Sequence, residues 1–164
     1  MKRFFFLYVA ILFTFFSTFK ITAQQDVLED NYLIVLDDLK PLIDLLIVKG
    51  FTIKFEIPPK KGVYGLFQSK SKTLWISPIT FELGIGRQTI LHEATHAAQS
   101  CPYGKLTPVG FVFSTSRFIR NEIQANLIKN YNSNQYMIEK EAFSVQGNEN
   151  AVDLLSKSIK QRCT

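Results

Sequence analysis

Histidine is nearly absent from this sequence: of 164 residues, only two carry an imidazole, His92 and His96. A three-histidine metal centre is thereby excluded. A catalytic metal needs three protein ligands and an open position, so here the third ligand must be another residue type. Cysteine is as scarce, with only Cys101 and Cys163. Clusters of Lys and Arg interleaved with aromatics are lacking too. Lys60-Lys61 and Lys70-Ser71-Lys72 read as solvated turns, so nucleic acid is not indicated as a partner. There is no internal repeat, low-complexity tract or interdomain linker, which favours a single domain.

The N-terminus reads as an export signal. Met1-Lys2-Arg3 is a short positive region, Phe4 to Phe19 is apolar apart from a few hydroxyls, and Ile21-Thr22-Ala23 ends on a small residue suited to signal peptidase. Residues 1–23 are therefore expected to be a cleaved signal peptide, with no stable membrane association afterwards; an uncleaved anchor is the alternative. Cleavage leaves 141 residues, enough for one domain with a modest core. It also removes three cations and no acid, lowering the formal charge from +5 to about +2, so the basic character belongs partly to the signal. In a periplasmic or secreted protein, the even cysteine count predicts a Cys101–Cys163 disulfide, with two free thiols as the alternative.

Both histidines fall within Leu91-His92-Glu93-Ala94-Thr95-His96, an H-E-x-x-H motif. Residues at i and i+4 share a helix face, so two imidazoles would meet one ion. Glu93, on the flank, could accept a proton from a water activated by that ion. The flanks suit a helix: Gly84 and Gly86 precede it and Cys101-Pro102 closes it, while Ile90, Leu91, Ala94, Ala97 and Ala98 suit burial. The competing reading is an ordinary core helix whose histidines are satisfied by hydrogen bonds.

Upstream, Asp26 to Lys49 has a helical apolar stripe interrupted at Pro41 and stopped at Gly50, giving two helices or one kinked helix. Phe51 to Ile57 alternates as a strand does, Gly62 to Gln68 alternates again, and Thr73 to Ser77 follows a polar turn. The last strand is expected to expose an edge where an extended peptide could add. After a loop from Pro102 to Gly110, helical patterns occupy about 116–130, 133–146 and 150–162. The expected fold class is α+β: a small three-stranded antiparallel sheet packed against the metal-binding helix, then a helical C-terminal half.

With no third histidine, the missing ligand must be a carboxylate, or Cys101 reaching back more than a helical turn. Glu122, Glu139 and Glu141 are the candidates. A small residue on the ligand's face lets two helices approach closely. Ala142 lies about 60° round the helix from Glu139 and about 100° from Glu141, which favours Glu139.

At this point the chain resembles the gluzincin group of zincin metallopeptidases, in which H-E-x-x-H is followed by a helix bearing a glutamate ligand. The matching residues are His92-Glu93-Ala94-Thr95-His96 and Glu139-Lys140-Glu141-Ala142. It also resembles small exported bacterial proteins of unassigned role through Gln99-Ser100-Cys101, Tyr131, the Glu-x-Glu-Ala segment and Cys163. The resemblance implies a zincin-like domain over 24–164 that uses Zn2+ to hydrolyse peptide or protein substrates, with Glu93 as general base. A zinc-stabilised peptide-binding module and a cell-wall amidase are the alternatives. Where the group carries an Asp four residues after its glutamate, this chain has Phe143 after Glu139, or Asn126 after Glu122. Tyr103, Tyr131 and Tyr136 are candidates for stabilising a transition state.

Overall fold

The computed structural model describes residues 32–111 and 133–164. The expected signal peptide (1–23), the helix expected over 116–130, and with it Glu122, Asn126 and Tyr131, lie outside the described residues. The described chain is α+β, with a small mixed sheet and five helices.

Helix α1 covers residues 32–48 as one run through Pro41 and buries Leu39, Leu42 and Leu46 completely. Gly50 ends it at φ +81°, the left-handed conformation that lets Gly50 N–H reach Ile47 O (2.9 Å) and Phe51 N–H reach Leu46 O (3.0 Å). Three strands follow: β1 (Thr52–Lys54), β2 (Gly65–Gln68) and β3 (Thr73–Ile76).

Their order, β1-β3-β2, corrects the antiparallel expectation. Only the β2–β3 hairpin is antiparallel; β1 runs parallel to β3, with Ile53 opposite Leu74. The segment containing Pro58 and Pro59 carries the chain across the sheet, so β2 forms the far edge and β3 returns between the other two. β3 is therefore paired on both sides and offers no edge; among the described residues β1 and β2 are the outer strands. β1 is also shorter than its alternating pattern. β3 ends at Ile76, and Pro78, the next position whose N–H would face β1, has none to give.

A short helix that the pattern did not suggest, α2 (Ile79–Glu82), turns the chain into α3 (Gly86–Ser100). Phe81 of α2 packs edge-on against Tyr32 of α1, with ring centroids 4.5 Å apart. α3 is buried on nearly every side, and Ala94, Ala97 and Ala98 let its neighbours approach closely. It packs against β2, β3, α2 and the two C-terminal helices, α4 (Ser133–Gln146) and α5 (Ala151–Arg162).

The far end of α3 is tied down. Cys101 and Cys163 are disulfide-bonded, with Cα atoms 5.0 Å apart across a separation of 62 residues. Closing a loop of that length stabilises a fold by on the order of 4 kcal/mol. The Arg162 guanidinium donates to the Ala98 and Cys101 carbonyls (3.3 and 3.1 Å), satisfying acceptors that the helix end leaves open. A disulfide accords with an exported protein. No described helix is long and apolar enough to cross a membrane.

Candidate metal centre

α3 presents His92 and His96 one turn apart on the face that meets α4, and α4 presents Glu139 to both. The Nε2 atoms of the two histidines are 3.2 Å apart, and Glu139 Oε2 lies 3.2 Å from that of His92 and 3.5 Å from that of His96. These three residues can hold a metal ion. The spacing suits one, because a tetrahedral ion bonded at about 2.0–2.1 Å keeps neighbouring ligand atoms about 3.4 Å apart. The three side chains are 8–17 % exposed, so the group is sheltered but reachable.

Hydrogen bonds behind the rings decide what the trio offers. Gln99 Nε2 donates to Ile138 O (2.9 Å) and to Glu141 Oε2 (2.8 Å), both acceptors only. Its Oε1 must then be the atom facing His96 Nδ1 at 2.7 Å, and only an N–H can meet it. His96 thus carries its proton on Nδ1 and turns the Nε2 lone pair inward. Gln146 Oε1 stands 3.0 Å from His92 Nδ1, where an Nδ1–H on that ring would donate to it and leave its Nε2 lone pair facing inward. Two nitrogen lone pairs and a carboxylate oxygen converge, and such a set calls for a cation or a proton.

The titration of these groups expresses the same need. Burial alone would raise the Glu139 carboxyl, but when protons supply the missing cation, hydrogen bonds from the protonated His92 and His96 and their positive charge outweigh it and hold the pKa at about 2. Burial would lower His96, yet its hydrogen bond to Glu139 and the charges of Glu93 and Glu139 leave it raised. Glu93 is raised chiefly by burial, against the pull of the two histidines.

Glu93 points to the sheet side of the trio. In the β2–β3 hairpin, Tyr64 bonds to Ser77, so by alternation Gly65 and Phe67 turn their backbone groups away from β3. The Phe67 backbone N–H lies on the side facing the Glu93 carboxylate and favours its charged form. Gly65 makes room for it, because a Cβ there would collide with Glu93 Oε1 and lie 2.9 Å from Glu93 Cγ and 2.8 Å from Thr89 Cγ2.

The remaining sequence candidates fall elsewhere. Glu141, two residues after Glu139, turns away to bind the Val109, Gly110 and Phe111 N–H groups together with Gln99. Cys101 is in the disulfide. Phe143 packs its ring against His92 with centroids 4.7 Å apart, and the hydrogen-bonding role that an Asp would fill falls to Gln146. Tyr103 is 92 % exposed and Tyr136 lies beneath the Lys140 ammonium.

Sequence reasoning did not assign roles to Gln146, Gln99, Gly65 or the Phe67 N–H. Signals for the first three exist. Gln99 lies three residues after His96 and Gln146 seven after Glu139, each on its ligand's face, and a lone Gly inside a strand marks a close approach. Comparison with protein-family models, curated proteins and solved structures finds no match to this chain.

Proposed function

We propose that this protein is a zinc-dependent hydrolase, a peptidase acting outside the cytoplasm, with His92, His96 and Glu139 as ligands and Glu93 as general base. The observation that carries this reading is the convergence of two imidazole nitrogens and a carboxylate oxygen at tetrahedral spacing beside a second, buried carboxylate, Glu93. Two imidazoles and one carboxylate suit zinc and leave a coordination position open. Bound there, zinc would supply Lewis acidity, bringing a water's pKa toward neutrality and polarising a carbonyl.

The chain's own residues do the rest. Gln99 and Gln146 aim the imidazoles, and α4 brings the carboxylate. Burial makes Glu93 more basic than a solvated carboxylate, which suits it to take a proton from a water, and Phe67 N–H holds it in place. The outward edge of β2 runs past Glu93, so an extended peptide pairing there would lay its backbone beside the base. Strand addition thus moves from β3, where the sequence suggested it, to β2.

The test is to incubate the zinc-loaded chain with a mixture of unstructured peptides and read cleaved bonds by mass spectrometry, with Glu93→Gln in parallel. Cleavage is expected from the parent, with a loss of about 100-fold or more in Glu93→Gln at unchanged zinc content. Equal cleavage by both proteins would remove Glu93 from the chemistry. Zinc retained with no cleavage by either would favour the peptide-binding module, and cleavage only of cell-wall peptides the amidase.

A further inference from the structure

Glu141 is the most heavily engaged carboxylate of the described chain, and its partners lead back to the metal centre. Its Oε1 accepts from Gly110 N–H (2.6 Å) and Phe111 N–H (2.7 Å), and its Oε2 from Val109 N–H (2.9 Å) and Gln99 Nε2 (2.8 Å). A carboxylate offers about four lone-pair sites, and all four are used. Glu141 is 6 % exposed and Gln99 fully buried, so water does not substitute readily for either.

We infer that Gln99 and Glu141 are positioning residues: the loop at Val109–Phe111, seated on Glu141, locks the Gln99 amide, and that amide dictates which nitrogen of His96 faces the metal centre. The inference rests on the reading of His96 as a ligand. Its logic is one of directed hydrogen bonds. Glu141 and Ile138 O draw the Gln99 NH2 away from His96, leaving only an oxygen to face Nδ1. If Glu141 is replaced by an amide, only Ile138 O still holds the Gln99 NH2 in place, and a Gln99 side chain that gives up that bond can turn over to meet the new NH2 with its oxygen. It then offers its own NH2 to His96 Nδ1, and the His96 proton must move to Nε2, where it blocks a metal. The chain thus couples the seating of a loop some thirty residues upstream of Glu141 to the state of one ligand.

The tautomer can be read without metal or substrate. The full chain labelled with 15N-histidine, stripped of metal and held at an alkaline pH above which the His96 resonances no longer titrate, reports the protonated nitrogen of each ring in long-range 1H–15N correlation spectra. The parent should show His96 with its proton on Nδ1. Glu141→Gln should move proton density to Nε2 of His96 and weaken zinc binding about 10- to 100-fold. His92, which meets Gln146 instead, should be unchanged. Gln99→Met, which removes the amide while leaving Glu141 its three backbone donors, should shift His96 in the same sense and covers the case in which Glu141→Gln does not fold. An Nε2-protonated His96 in the parent, or an unaltered His96 in both variants, overturns the proposal. The expected tautomers in a chain that binds no zinc would refute the metal reading and leave this one standing.

Discussion

Glu139 and Glu141 stand two residues apart on one helix, and their surroundings are opposites. Glu141 is ringed by donors: three consecutive backbone N–H groups and an amide. Glu139 faces the Nε2 atoms of two imidazoles, each on a ring whose Nδ1 meets a glutamine oxygen. One carboxylate is complete within the protein and the other is not. Burial is not the difference, since both residues are largely sheltered. A buried anion whose neighbours are donors holds a fold together, whereas one whose neighbours are acceptors marks a place for a cation.

Exchanging the charge at each position gives the sharpest contrast. Glu139→Gln should weaken zinc binding by about 1,000-fold, on the order of 4 kcal/mol, and cost the metal-free fold less than Glu141→Gln does, since it removes one interaction with the imidazoles and strands no backbone donor. Glu141→Gln should do the reverse in emphasis. It strands buried donors, so it should lower metal-free stability by about 3 kcal/mol in denaturant unfolding and cost zinc affinity less than Glu139→Gln does. Similar profiles for the two variants would erase the distinction between the two surroundings.

The next effect concerns the approach of Glu93 to the sheet. Gly65→Ala places a methyl where the Glu93 carboxylate lies, and either the helix or the hairpin must move. A destabilisation of about 2 kcal/mol is expected by denaturant unfolding, and the loss should shrink in Gly65→Ala/Glu93→Ala, where the collision is relieved.

A proton can partly stand in for the cation, and this gives the contrast a pH dependence. His96 is raised, so the stability contributed by its charged form is present in acid and is lost as pH rises through the raised value. Glu93, a carboxyl that is also raised, acts in the same sense, because its ionised form is the costly one. Glu139, held at about 2, keeps its contribution until the pH falls through that value. The metal-free chain should therefore melt at a lower temperature at about pH 8 than at about pH 5.5, while the increment from added zinc should grow over the same interval. A zinc increment that shrinks with rising pH would contradict the ligand set.

The smallest effect serves as a control away from both carboxylates. Ser158 on α5 is buried and its hydroxyl finds no hydrogen-bond partner among the described residues. Ser158→Ala should change stability by less than about 0.5 kcal/mol, or raise it slightly, with zinc affinity unaltered.

The two carboxylates also show what was legible in the sequence. His92, Glu93 and His96 could be read together because an i, i+4 spacing needs only a helix to become a face. Ala142, fully buried, marks the side of α4 that meets α3, which is how Glu139 could be distinguished from Glu141 at all. The fate of Glu141 could not be read, because its partners are backbone N–H groups of a loop, and no side-chain pattern encodes where a loop's amides will gather. The sheet divides in the same way. Alternation located all three strands, but alternation describes one strand's two faces and says nothing of which neighbour it pairs with. The parallel β1–β3 ladder therefore came only from the structure. Pro41 left open two helices or one kinked helix, and the buried Leu39, Leu42 and Leu46 hold a single helical run through it.

The most direct test of the claim that His92, His96 and Glu139 form a zinc site is X-ray absorption at the zinc edge on the purified, zinc-loaded chain, with metal content measured on the same sample and on His96→Ala. One zinc per chain is predicted, surrounded only by nitrogen and oxygen at about 2.0–2.1 Å with two imidazoles resolved, and lost in His96→Ala. A chain that takes up no zinc, or one whose zinc shows sulfur at about 2.3 Å or a single imidazole, would contradict it.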